Sequence, residues 1–151
     1  MKEHFIKLFK YNNWANSKIL EIIFKEENFP EIALKYFIHV LIAEKTWMSR
    51  LIGEEINTNN FWPDISKDEL KILIDDNTNQ YLDFIENLKD KIPDSLVTYK
   101  NSKGFKYTTS VKDILTHVSM HSAYHRGQIN SALRNSGFQP VNIDFITYTR
   151  I

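Results

Sequence analysis

Apolar residues recur three and four positions apart along most of this chain, the period of one face of an α-helix. Phe5, Ile6, Leu8, Phe9, Trp14, Ile19, Leu20, Ile22 and Ile23 follow that spacing and predict a first amphipathic helix over 2–25. Asn28-Phe29-Pro30 interrupts it. Pro30 suits the first turn of a second helix, which runs to about Leu51 with Gly53 as its stop. Residues 54–63 are polar and predict a loop. Ser66-Lys67-Asp68-Glu69 then matches a capping box, in which the Ser and Glu side chains satisfy orphan amides of a new helix. Leu70, Leu73, Tyr81, Phe84, Ile85 and Leu88 carry this third helix towards Pro93.

The period changes over 96–108. Leu96-Val97-Thr98-Tyr99 and Phe105-Lys106-Tyr107-Thr108 flank Asn101-Ser102-Lys103-Gly104, a pattern that predicts a β-hairpin. Ser110, followed by Asp113, caps a fourth helix that lasts until Gly137, and the tail over 140–151 adds a short segment. The prediction is an all-α fold: a four-helix bundle with a short β-hairpin before the fourth helix and a short C-terminal segment. The long link between helices 2 and 3 permits a crossover, so simple up-down order does not follow. No repeat or linker divides the chain, and a single domain over 1–151 is expected.

Composition narrows the function classes. Only four Gly and four Pro are present, which disfavours a turn-rich sandwich. Nineteen basic residues balance nineteen acidic ones, and they are interspersed, so no basic stripe marks a nucleic-acid or anionic membrane surface. Without cysteine there is no disulfide, no catalytic thiol and no thiolate metal site. Met1-Lys2-Glu3-His4-Phe5 carries an acid and opens no long apolar run, and no stretch of about 20 apolar residues occurs. A cytoplasmic protein is expected.

The histidines carry the chemistry. His39 sits inside Tyr36-Phe37-Ile38-His39-Val40-Leu41-Ile42-Ala43, where every neighbour is apolar, so its imidazole is buried and needs a partner. His117, His121 and His125 are spaced by four and climb one side of helix 4. On a wheel of about 100° per residue from Val111, the apolar stripe of Val111, Ile114, Leu115, Val118, Ile129, Ala132 and Leu133 spans roughly −60° to +40°. His125 falls at about −40° within it, His121 near −80° at its edge and His117 near −120° beyond it. His39 and the His121–His125 pair also lie near the midpoints of their helices. The three can therefore meet at mid-bundle around one divalent ion with a coordination position left open; a core histidine satisfied by a single hydrogen bond is the alternative. A ferritin-like di-iron site lacks its Glu-x-x-His motifs, no Gly-rich phosphate loop is present, and nothing marks a Ser as a nucleophile.

The run Leu115-Thr116-His117-Val118-Ser119-Met120-His121-Ser122-Ala123-Tyr124-His125-Arg126-Gly127-Gln128-Ile129 resembles the signature helix of the DinB-like (damage-inducible) metalloprotein superfamily. Tyr11-Asn12-Asn13-Trp14-Ala15-Asn16, His39 with Glu44, Trp47 and Arg50, the Lys103-Gly104 hairpin and Asp144 fit the same pattern. The resemblance implies a four-helix bundle binding zinc, nickel or iron through His39, His121 and His125. It further implies a small-molecule substrate, a low-molecular-weight thiol as co-substrate for an S-transferase or related hydrolase activity, and a homodimer. A non-catalytic metal-binding or stress-related interaction protein is the alternative. Around the site, His117 is expected to be a partly exposed polar residue, and Gln128 to touch either substrate or solvent. Arg126 is expected to bind a carboxylate or chain end, Gly127 to allow close backbone packing, and Trp14 and Trp47 to belong to the core.

Overall fold

The computed structural model describes residues 1–54, 60–88 and 94–151. Four long helices, α1 (Lys2–Lys25), α2 (Glu31–Ile52), α3 (Lys67–Glu86) and α4 (Val111–Asn135), form the bundle predicted from periodicity. Strands β1 (Leu96–Lys100) and β2 (Lys106–Ser110) form the hairpin before α4, and α5 (Phe145–Tyr148) is the short C-terminal element. Part of the predicted 54–63 loop, and Pro93 as the end of the third helix, lie outside the described residues. That helix itself ends at Glu86.

Local chemistry sets the boundaries. Gly53 stops α2 at φ +76°, a left-handed conformation that a Cβ disfavours. At the start of α3 the Ser66 side chain accepts from the Glu69 amide, and the Glu69 carboxylate accepts from the Ser66 amide at 2.9 Å. β2 runs directly into α4, where Ser110 Oγ accepts from the Asp113 amide at 3.2 Å. In the hairpin Leu96 pairs with Ser110 and Lys100 with Lys106, antiparallel. Asn101 Oδ1 closes its turn by accepting from the Lys103 and Phe105 amides.

The helices pair as α2 with α4 and α1 with α3, with α2 also against α3. The core consists of two apolar clusters, one at each end of the bundle. The hairpin end holds Phe5, Phe9, Met48, Tyr81, Ile85, Ile114, Leu115 and Val118. The other end holds Ile19, Phe37, Leu41, Leu70, Ile74, Ile129 and Leu133. Reading each helix through these clusters gives its direction: α1 and α4 leave the hairpin end, whereas α2 and α3 approach it. Two consecutive helices, α2 and α3, are thus parallel, and the link between them is the crossover that its length permitted.

A polar layer separates the two clusters. Asn12 and Asn16 from α1, Glu44 from α2, Asn77 from α3, and Ser122 and Arg126 from α4 are all buried at this depth. Glu44 accepts from Ser122 Oγ at 2.8 Å and from Asn16 Nδ2 at 3.3 Å, and Asn77 Nδ2 donates to the Leu41 carbonyl at 2.9 Å. Burial pushes the Glu44 carboxyl above its ordinary pKa; hydrogen bonds from Ser122, Asn16 and Asn77 and the Arg126 charge pull the other way.

Among the described residues Arg126 binds no carboxylate directly, contrary to expectation. Its Nη atoms donate to Asn16 Oδ1 at 3.2 Å and Asn12 Oδ1 at 2.9 Å, so the Asn16 amide stands between guanidinium and carboxylate. The tail is tied down by Tyr11, whose hydroxyl donates to the Ile143 carbonyl, and by paired hydrogen bonds between Asn130 and Val141. Trp14 packs against this tail beside Tyr11 and Tyr148 at the margin of the core.

Candidate metal centre

At the depth of the polar layer, but on the outer side of the α2–α4 seam, three imidazoles meet. His39 from α2 and His121 and His125 from α4 each offer a ring nitrogen within 4.8 Å of the others, and all three are half-buried. His121 Nε2 and His125 Nε2 are 3.1 Å apart. The ring centroids of His39 and His125 are separated by 4.6 Å, and those of His39 and His121 by 5.3 Å. The residues singled out by wheel position and depth are those that the fold brings together. His117 stays outside the group, more exposed, with its ring against Trp47 at 4.9 Å.

Other groups set the orientation of these rings. His125 Nδ1–H donates to Gln128 Oε1 at 2.6 Å, which leaves Nε2 with its lone pair facing His121. His39 Nδ1–H donates to the Phe61 carbonyl at 3.3 Å, which likewise frees its Nε2. Such hydrogen bonds select the tautomer and hold the ring of a metal-binding histidine. Trp62 stacks on His39, with centroids 4.2 Å apart and planes 13° from parallel, and covers that side of the cluster. Tyr36 and Tyr124 flank His125 at 6.1 and 5.1 Å.

Burial favours the neutral form of His39, His117 and His121. Burial, then the neighbouring His125, His39 and His117, push His121 down to about 4. Burial also lowers His39, and the charge His125 can carry adds to this. His117 is lowered by burial and by the Arg50 guanidinium. Neutral imidazole is the form that donates a lone pair to a metal, and the three converging ring nitrogens make a candidate donor set.

Two surrounding contacts differ from expectation, and one unexpected element joins the site. Gln128, expected at substrate or solvent, instead holds His125, and its place three residues on along the same helix is the sequence signal for that contact. Gly127 makes no close backbone contact, since a Cβ built there meets nothing within 4 Å. At about 160° on the wheel it lies opposite the apolar stripe, facing outward. The Phe61-Trp62 pair, within a stretch read simply as a polar loop, reaches His39 across 22 residues of sequence. An aromatic pair inside that polar segment was its only mark. Trp47 belongs partly to the core, as expected, and partly to the rim of this site. A groove between α2, α3 and the hairpin, lined by Met48, Leu51, Phe84, Leu88 and Val97 among others, includes none of the three histidines.

The whole chain, residues 1–151, matches the DinB family. It is 27% identical to protein DinB of Bacillus subtilis (strain 168), over 98% of this chain and 95% of that protein. It is also 26% identical to the uncharacterized protein YizA of the same organism, over 95% of each chain.

Proposed function

This chain belongs to the DinB family, and from that premise we propose that it is a metal-dependent enzyme whose His39, His121 and His125 hold one divalent ion for a small-molecule reaction. The convergence of three half-buried imidazoles from two helices carries this reading. Tetrahedral zinc with nitrogens at about 2.0–2.1 Å sets them about 3.3 Å apart. The His121–His125 pair is near that spacing, and the third nitrogen is within 4.8 Å. Among the described residues no carboxylate joins the group, and a neutral imidazole set suits zinc, nickel and iron alike. When bound, such an ion keeps a position open and lowers the pKa of a thiol or water placed there.

The chain's own residues do the positioning. Gln128 and the Phe61 carbonyl hold two of the rings, and Trp62 keeps water from one face of His39. His117, with its ring 5.5 Å from that of His121, is a further base placed to move a proton. The chain has no cysteine, so in an S-transferase the sulfur nucleophile comes from a low-molecular-weight thiol co-substrate, whereas in a related hydrolase water takes that place. A homodimer goes with this reading. The exposed apolar residues Met120 and Tyr124 on α4 support it, and light scattering at micromolar concentration tests it. The second reading is a metal-holding protein without catalysis, favoured by the groove that excludes the histidines.

Metal analysis of protein purified without nickel resin tests the centre: about one ion per chain is expected, and none after His39→Ala. A screen of thiols with electrophiles then separates the readings. Turnover lost in His39→Ala supports the enzyme. A loaded protein inert to every thiol leaves the non-catalytic reading.

A further inference from the structure

Arg50, in the last turn of α2, has no task in the function proposed above. Its guanidinium carbon lies 4.4 Å over the Trp47 ring and 5.0 Å from the Tyr99 ring. Those two rings meet edge to face at 5.1 Å, so the cation sits in the corner between them. It takes part in none of the ion pairs among the described residues. Arg126 is the contrast, with both Nη atoms engaged by asparagine oxygens.

Aromatic rings attract a guanidinium through their faces but accept none of its in-plane N–H bonds. Half-buried Arg50 has thus given up part of its hydration without gaining a counter-charge among the described residues. Its nitrogens are not among the side-chain atoms sealed from solvent without a partner. An open, planar donor edge remains, whose geometry matches a carboxylate through two parallel hydrogen bonds.

The position gives this edge a use. Trp47, against Arg50, also meets His117 at 4.9 Å, and His117 meets His121 at 5.5 Å. Arg50 is thus joined to the histidine cluster by one continuous aromatic rim on the hairpin side. The described residues place no acid in that rim, and a divalent ion on neutral imidazoles adds further positive charge. An anion is the complementary ligand.

We propose that Arg50, framed by Trp47, Tyr99 and His117, binds the carboxylate of a small-molecule ligand whose other end reaches His39, His121 and His125. The inference rests on the metal-dependent reading above and names the substrate class for it: a small carboxylic acid or a thiol bearing one. The guanidinium is planar by resonance and the Trp47–Tyr99 corner restricts its orientation, so that carboxylate geometry as well as charge is selected.

The test uses the full chain loaded with zinc and follows the Nε–H signal of Arg50 by nitrogen-15 NMR, identified by its loss in Arg50→Lys. Butyrate and butanol are the probes. Butyrate is expected to move the Arg50 and Trp47 indole signals and to bind about tenfold or more tighter than butanol, the range of one charge-assisted hydrogen bond. Arg50→Gln removes this preference and leaves zinc affinity within about twofold. On the cobalt-loaded chain, ω-mercaptocarboxylates of increasing length perturb the cobalt absorption at lower concentration than mercaptoalcohols of equal length. Arg50→Gln abolishes that advantage too.

Equal binding of butyrate and butanol overturns the subsite, while a cobalt band still moved by uncharged thiols leaves the metal reading standing. An Arg50→Gln variant that melts earlier but keeps the butyrate preference makes Arg50 a clamp between α2 and the hairpin, and the subsite fails. If the chain takes up no zinc, the metal reading fails separately. Butyrate titration of the metal-free chain then decides for Arg50 by a shift at its Nε–H, or against it by none.

Discussion

His117 and His121 stand one turn apart on the same helix, yet their surroundings give them different work. His121 points into the seam with α2, whereas His117 lies along Trp47 towards solvent. Removing a group that merely orients a metal ligand costs about 10–100-fold in affinity, and Gln128→Leu is expected to fall in that range. His121→Ala loses more than this, and His117→Ala keeps nearly all its metal; elemental analysis after dialysis compares the three. Proton linkage provides a second check. With His121 at about 4 in the folded chain and near 6.5 unfolded, the unfolded state takes up the proton first as pH falls. The stability tied to this neutral ring is full above about pH 6.5 and is lost as pH drops towards about 4. Urea denaturation of the metal-free chain across that window should show the slope, and His121→Ala should flatten it. Proton competition for a metal at His121 likewise sets in near pH 4, lower than an unperturbed imidazole would give.

At the scale of the element, short-range chemistry decides where helices start and stop. Ser66 and Glu69 exchange both hydrogen bonds of a capping box, and Ser110 caps α4 without any intervening loop. Ser66→Ala is expected to cost about 1 kcal/mol, lowering the melting temperature by about 2–4 °C for a chain of this size; a thermal scan reads this directly. The same reciprocal contact was legible in the sequence because it spans only four residues. The loop contact to His39 was not, since Phe61 and Trp62 reach it through a crossover whose path depends on α2 and α3 being parallel.

At the scale of the whole molecule, the polar layer ties all four helices together at the depth of the histidines. Glu44 and Arg126 are both buried, with Asn16 between them. Arg126→Met leaves a buried carboxylate without its compensating charge, and a loss of about 3–5 kcal/mol is expected. Glu44→Gln costs much less, and the double variant costs less than the two losses added, because both act on one network. Denaturant midpoints of the three variants check the ranking. The described helices include none long and apolar enough to cross a membrane.

Helix positions, caps, the hairpin and the His39–His121–His125 grouping were all readable from the chain itself. They depend on period, on capping pairs a few residues apart, and on which side of one helix a residue occupies. Only tertiary structure set the parallel course of α2 and α3, the bridge of Asn16 between Arg126 and Glu44, and the cover of Trp62 over His39. It also placed Arg50 in the aromatic corner of Trp47 and Tyr99. Each of these joins residues far apart in sequence. A side chain's polarity says that it needs a partner when buried, but the packing of distant helices determines which partner it meets.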